Sequence, residues 1–212
     1  MEVVDVYWSF RSPYSYLATP GMLALKQDYD IDLVFRVVLP IAVRAPETLF
    51  NEQNRHRALY IGRDWSRRAQ FLGMSDKWPR PDPIVQNGMD IPEDQPYIYR
   101  LSALGVEAQR RGKGVEFAFE VSHLLFGGTQ DWHEGDHLAK AAERAGLDFE
   151  AMEAAIADGD QLQEIEANQD KLDAAGHWGV PTFVVRNEPF FGQDRIDTLR
   201  WRLDQYGLKN SS

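Results

Sequence analysis

Ser9-Phe10-Arg11-Ser12-Pro13-Tyr14-Ser15-Tyr16-Leu17 is the stretch on which the fold turns. Before it runs Val3-Val4-Asp5-Val6-Tyr7-Trp8, rich in β-branched and aromatic residues, which reads as a strand. After it comes a run from Tyr14 to about Asp28, with Leu17, Met22, Leu23 and Leu25 among its apolar positions, which reads as an amphipathic helix. Serine at the N-cap accepts a hydrogen bond from an early helical N–H, and proline fits the first helical position. Ser12 therefore stands where a strand ends and a helix begins, at the positive end of the helix dipole, which favours an anion against it. On local sequence alone, Ser12 reads equally as a cap with no further task.

Outward from that turn, Ile31 to Val38 reads as a second strand, so the first 40 residues form a β-α-β unit with parallel strands and a right-handed crossover. From Ile41 to about Ala175 helical patterns dominate. Helices are expected over Asn54–Leu72, Tyr97–Arg111, Val115–Phe126 and from His133 or Glu134 to Ala145, with two more between Asp148 and Ala175. The segment Ser75 to Pro96, with five prolines, is a long loop suited to covering a cleft. The arginines between Arg63 and Arg68 read as a solvated helix face. Strand character returns in Thr182–Arg186 and Glu188–Phe191, a hairpin turning at Asn187, and Asp194-Arg195-Ile196 opens a final helix. The order predicts an α/β thioredoxin-like domain built from residues 1–40 and 177–212, with an inserted helical domain over 41–176.

The composition narrows the chemistry. The 212 residues carry a formal net charge of -10, which argues against nucleic acid as a partner. No apolar run approaches a membrane span, and no leader pattern precedes the first strand, so a cytoplasmic protein without a membrane partner is expected. There is no cysteine, hence no disulfide, thiolate metal site or cysteine nucleophile. His133-Glu134-Gly135-Asp136-His137 satisfies the H-E-x-x-H zinc pattern, but Gly135 between the histidines places it on a loop-to-helix junction and no metal is expected there.

Thioredoxin-type proteins set their chemistry at the first helix N-terminus, facing a cis-proline before the third strand. Val180-Pro181 is the candidate for that proline. Three motifs occur in order: Ser12-Pro13-Tyr14-Ser15-Tyr16-Leu17-Ala18, Gly179-Val180-Pro181-Thr182-Phe183-Val184-Val185 and Phe191-Gly192-Gln193-Asp194-Arg195-Ile196-Asp197. Together with Leu138 to Asp148 they resemble the 2-hydroxychromene-2-carboxylate isomerase family, relatives of the kappa-class glutathione transferases on a DsbA-like fold. Ser12 and Ser15 stand where DsbA-like thioredoxins carry cysteines.

The resemblance implies glutathione as cofactor, a small aromatic carboxylate as substrate, a role in aromatic-compound degradation, and a homodimer. It implies that Ser12 hydrogen-bonds the glutathione sulfur, that the Val180 backbone beside Pro181 pairs with the tripeptide, and that Gln193 and Asp194 hold the γ-glutamyl end. Arg57 matches a lysine that reaches glutathione in the kappa relatives, and Asn51 is a further candidate. Asp194 reads alternatively as a helix cap, and Arg57 as a surface arginine. Where this chain has Ser9 the family usually carries an acid, and where it has Arg11 an apolar residue, so the second-substrate pocket is expected to differ. The alternatives to an isomerase are a kappa-like transferase or peroxidase that consumes glutathione, and a non-enzymatic thioredoxin-fold binding module. His177 is unassigned, and Trp8, Tyr14, Trp65 and Trp178 read as core or interface aromatics.

Overall fold

A computed structural model describes residues 1–48, 55–87, 90–157 and 159–210. Its four-stranded sheet has the order β2-β1-β3-β4, with β1 Glu2–Trp8, β2 Ile31–Val37, β3 Thr182–Val185 and β4 Glu188–Phe191. β1 lies parallel to β2, with Val6 opposite Phe35, and antiparallel to β3, with Val6 opposite Phe183. The sheet is thus made by joining the two ends of the chain, at the β1–β3 pair. Successive residues of a strand face opposite ways. Val4, Val6 and Trp8 enter the main core while Tyr7 packs with Val38, Leu172 and Val184 on the other face. Arg186 and Asn187 both have positive φ, the two-residue turn that matches strand twist in a hairpin.

Helix α1 covers Pro13–Asp28 and is buried on more than one side, through Ser15, Tyr16, Ala18, Thr19, Met22 and Leu25. This is wider than the apolar stripe seen in the sequence, because α1 lies between the sheet and the inserted helices. Pro20 falls inside it and has no N–H to give the Tyr16 carbonyl. The Thr19 hydroxyl donates to that carbonyl instead, at 2.7 Å.

The inserted helices are α2 Ile41–Arg44, α3 Arg55–Phe71, α4 Ile98–Arg110, α5 Gly114–Phe126, α6 His137–Arg144, α7 Phe149–Ala157 and α8 Gln161–Ala174. Helix α9, Ile196–Gln205, closes the chain. Phe10 joins the two parts of the molecule, its ring 6.1 Å from Phe35 of β2 and 5.9 Å from Phe117 of α5. Gly105 of α4 lies so close to Phe10 that a Cβ there would meet Cε2 at 2.6 Å. No described helix is long and apolar enough to cross a membrane.

Two expectations are corrected. Helix α6 begins at His137, not at His133 or Glu134, because Gly135 adopts φ 58° and the residues before it form turns. The H-E-x-x-H residues therefore do not share a helical face, and no group of metal-ligating side chains is assembled among the described residues. The final helix is entered through a 3-10 turn over Gln193–Arg195, and Asp194 does not cap it with its side chain.

Candidate functional site

The site begins with Ser12, half-buried at the N-cap of α1 with Pro13 at the first helical position. Its Oγ accepts from the Ser15 N–H at 3.2 Å, and its own N–H donates to the Ser9 carbonyl at 3.0 Å. Both bonds fix the turn. The Ser12 hydroxyl donates to the Val180 carbonyl at 3.4 Å, long enough to leave the proton available to a better acceptor. Val180-Pro181 is cis, as the sequence motif suggests, and the Val180 N–H has no partner among the described residues.

The Pro181 carbonyl accepts from the Gly192 N–H at 2.8 Å. Gly192 has φ 107°, a conformation L side chains rarely adopt, and this bend sets Gln193 and Asp194 beside the proline loop. Gln193 Oε1 accepts from Arg68 Nε of α3 at 3.2 Å. Among the described residues the Asp194 carboxylate pairs only with exposed Arg195, at 2.8 Å. Arg57, also on α3, lies over the Trp178 ring at 4.5 Å and makes no hydrogen bond or ion pair among the described residues. The predicted residues are thereby linked in sequence: Ser12 to Val180, Pro181 to the Gln193–Asp194 turn, and Arg57 to the loop before the proline. Asn51 lies outside the described residues.

Several features of the site were not assigned from the sequence. Trp178 and Phe191 are 44% and 41% exposed, and neither is a core residue. His177 stacks on Phe191 with centroids 4.1 Å apart and accepts the Gly179 N–H at Nδ1, 2.9 Å away. It neither caps a helix nor stands free. Half-buried Arg44 donates to the Trp178 carbonyl and holds this loop from α2. Arg68 turns inward to Gln193, whereas exposed Arg67 beside it reaches back to Asp64. The arginine run is therefore a solvated face only in part.

Tyr14, two residues after Ser12, donates to Asp64 Oδ2 at 2.7 Å and ties the active turn to α3. Burial and that carboxylate push the Tyr14 hydroxyl well above its ordinary range. Although burial opposes it, the bonds from Tyr14, Arg67 and Tyr60 hold the Asp64 carboxyl below its usual value. On the other side of Ser12, Arg11 forms a two-pronged pair with Asp82 at 2.8 and 2.9 Å. Asp82 also accepts from Trp78 Nε1 at 2.9 Å and the Ile84 N–H at 3.0 Å, so the proline-rich loop is fastened to the active turn.

Burial holds the His177 imidazole below its usual pKa. Protonation at Nδ1 would also abolish the bond from Gly179. An unfolded chain binds the proton more readily, so His177 contributes stability above its unfolded pKa of about 6.5 that is lost as the pH falls. Melting temperatures at about pH 7 and pH 5 are expected to differ less in His177→Gln than in the wild type. Equal differences in the two proteins would contradict this.

The chain matches the DSBA-like thioredoxin domain over residues 3–204 and belongs to that family. It is similar to 2-hydroxychromene-2-carboxylate isomerase of Pseudomonas putida, 24% identical over 218 residues that span 99% of this chain and 98% of that one. A solved structure of 2-hydroxychromene-2-carboxylate isomerase matches with a TM-score of 0.68 at 22% identity, over 96% of this chain and 95% of that one. The cytosolic disulfide reductase DsbM of Pseudomonas aeruginosa, solved with GSH, matches at 0.58 and 14% identity, over 95% and 99% of the two chains. The fold and the family resemblance read from the three motifs are borne out by these matches. The chain carries serine at both Ser12 and Ser15 and no cysteine anywhere, so dithiol–disulfide exchange on its own side chains is excluded.

Proposed function

We propose that the protein is a glutathione-dependent isomerase of the 2-hydroxychromene-2-carboxylate type. The observation that carries this reading is the Ser12 hydroxyl at the α1 N-terminus, facing the Val180 carbonyl before cis-Pro181 in a chain without cysteine. The site offers a place for a thiolate and no thiol of its own.

The donors and acceptors suit a tripeptide thiol. They comprise a hydroxyl at a positive helix end, the unpaired Val180 N–H, the Asp194 carboxylate, and two half-buried arginines, Arg57 and Arg68, that pair with no carboxylate among the described residues. Bound glutathione would supply a thiol able to add to an unsaturated aromatic carboxylate and leave again, so that a bond rotates without net consumption of the tripeptide. The Ser12 hydroxyl donates to the sulfur, and with the α1 dipole it favours thiolate over a thiol of ordinary pKa near 8.5. The backbone of Val180 pairs with the peptide as an added strand. Asp194 accepts from the α-ammonium, and Arg57 donates to the carboxylate of the glycine end. Arg11 and Asp82 hold the proline-rich loop beside the turn, with the Arg11 guanidinium over the Trp78 ring.

The test follows total free thiol while the substrate, 2-hydroxychromene-2-carboxylate, is converted. Conversion that requires glutathione and leaves its amount constant at completion is the expected result. Stoichiometric depletion would replace this reading with the transferase or peroxidase, and no glutathione binding by calorimetry would favour a binding module.

A further inference from the structure

A cleft of about 290 Å³ opens beside the Gln193–Asp194 turn. Its lining combines apolar Leu17, Pro20 and Ile196 with Arg68 of α3 and the carboxylates of Asp194 and Asp197. Arg68 spends its Nε on Gln193 and lies over the Phe71 ring at 4.9 Å. Its two Nη groups have no hydrogen bond or ion pair among the described residues. By contrast Arg11, Arg36, Arg110, Arg200 and Arg202 all pair with carboxylates. A half-buried guanidinium with both Nη groups unspent, lining one cleft together with two carboxylates, is complementary to a zwitterion.

The spacing along α3 adds a second constraint. Arg57 and Arg68 are eleven positions apart on one helix. That is three turns and roughly 20°, so they share a face about 16 Å apart along the axis. Asp64, on the same face between them, receives the Tyr14 hydroxyl from the active turn. The Ser12 turn therefore meets α3 between two arginines that lack anionic partners. An extended tripeptide spans roughly 10–11 Å, and a hydrogen bond of about 3 Å at each end brings the reach to about 16–17 Å.

We propose that Arg68 recognises the α-carboxylate of the ligand's γ-glutamyl head, opposite Asp194 and Asp197, which take its ammonium. The proposal rests on the glutathione reading above and adds a specificity: the ligand is selected as a dicarboxylate whose carboxylates are read by Arg68 and Arg57, both on α3. The planar fork suits a carboxylate in a way that a lysine does not. The exposed pair of Asp194 with Arg195 gives way at little cost, because surface pairs of this kind are weak.

Calorimetry of the wild type and of Arg68→Gln would be run with glutathione, with 4-aminobutanoyl-cysteinyl-glycine, which lacks only the α-carboxylate, and with glutaryl-cysteinyl-glycine, which lacks only the ammonium. The wild type is expected to bind the decarboxylated peptide at least tenfold more weakly than glutathione. Arg68→Gln is expected to lose a similar factor for glutathione, to bind glutathione and the decarboxylated peptide equally, and still to discriminate against the peptide without the ammonium. Equal wild-type affinity for glutathione and the decarboxylated peptide overturns the proposal without any variant. Retained discrimination in a folded Arg68→Gln also overturns it while leaving the glutathione reading intact. No wild-type binding of glutathione overturns both.

Discussion

Replacing Ser12 with alanine is expected to lower kcat by about 10²–10³-fold, the usual consequence of removing one donor aimed at a developing or bound anion. Glutathione binding should change only a few-fold, because the Val180 backbone, Asp194 and the two α3 arginines are untouched. The apparent pKa of the bound thiol should rise toward its ordinary value. Ser12 also accepts the Ser15 N–H, so alanine removes a helix cap at a cost of about 1 kcal/mol. Glycine at this position costs only a few tenths and equally lacks the hydroxyl. Matching losses of activity in Ser12→Ala and Ser12→Gly would assign the effect to the hydroxyl. An active Ser12→Gly would mean that the cap alone matters.

The second large effect is on stability. Asp82 accepts from Arg11 twice, from Trp78 Nε1 and from the Ile84 N–H, with the Arg11 and Asp82 side chains only 15% and 22% exposed. Asp82→Ala leaves a half-buried guanidinium without its carboxylate and two further donors, Trp78 Nε1–H and the Ile84 N–H, short of an acceptor. Removing one partner of a buried ion pair costs about 3–5 kcal/mol, and partial solvent access places this pair near the lower figure. At roughly 2–4 °C per kcal/mol for a chain of this size, the melting temperature should fall by about 6–12 °C. Asp82→Asn, whose single amide oxygen still accepts from one of the two neutral donors but which loses the charge, should fall less. A melting curve for Asp82→Ala that matches the wild type would show that the loop is held by other contacts.

What the sequence made legible was local. The strand, Ser12-Pro13 and α1 follow one another within 28 residues, and each step has its own short-range signal. The hairpin around Asn187 and the helix stops at Gly73, Gly112, Gly146 and Gly207, all at positive φ, were readable for the same reason. The start of α6 was not, because a helical pattern of side chains says nothing of the φ that Gly135 adopts within it.

The parts of the site that were missed are tertiary pairings. Arg11 and Asp82 are 71 residues apart, and Arg68 and Gln193 are 125 apart. No pattern within a helix distinguishes Arg68 from its neighbour Arg67, yet a rotation of about 100° between them sends one to Gln193 and leaves the other exposed, paired with Asp64. Trp178 read as a core or interface aromatic because its exposure depends on where α3 places Arg57. The capping role of Ser12 was the safest local inference, and it stands together with the further role. The cap is what sets a hydroxyl and a helix N-terminus side by side at the cis-Pro181 loop.

The central claim, that this chain borrows a thiol and holds it as a thiolate at Ser12, is tested most directly by ultraviolet titration of glutathione bound to the wild-type protein. Thiolate absorbance should persist well below pH 8.5, the ordinary midpoint of a free thiol being about that value, and should be displaced by an S-alkylated glutathione. A bound thiol that titrates as it does free in solution would contradict the account.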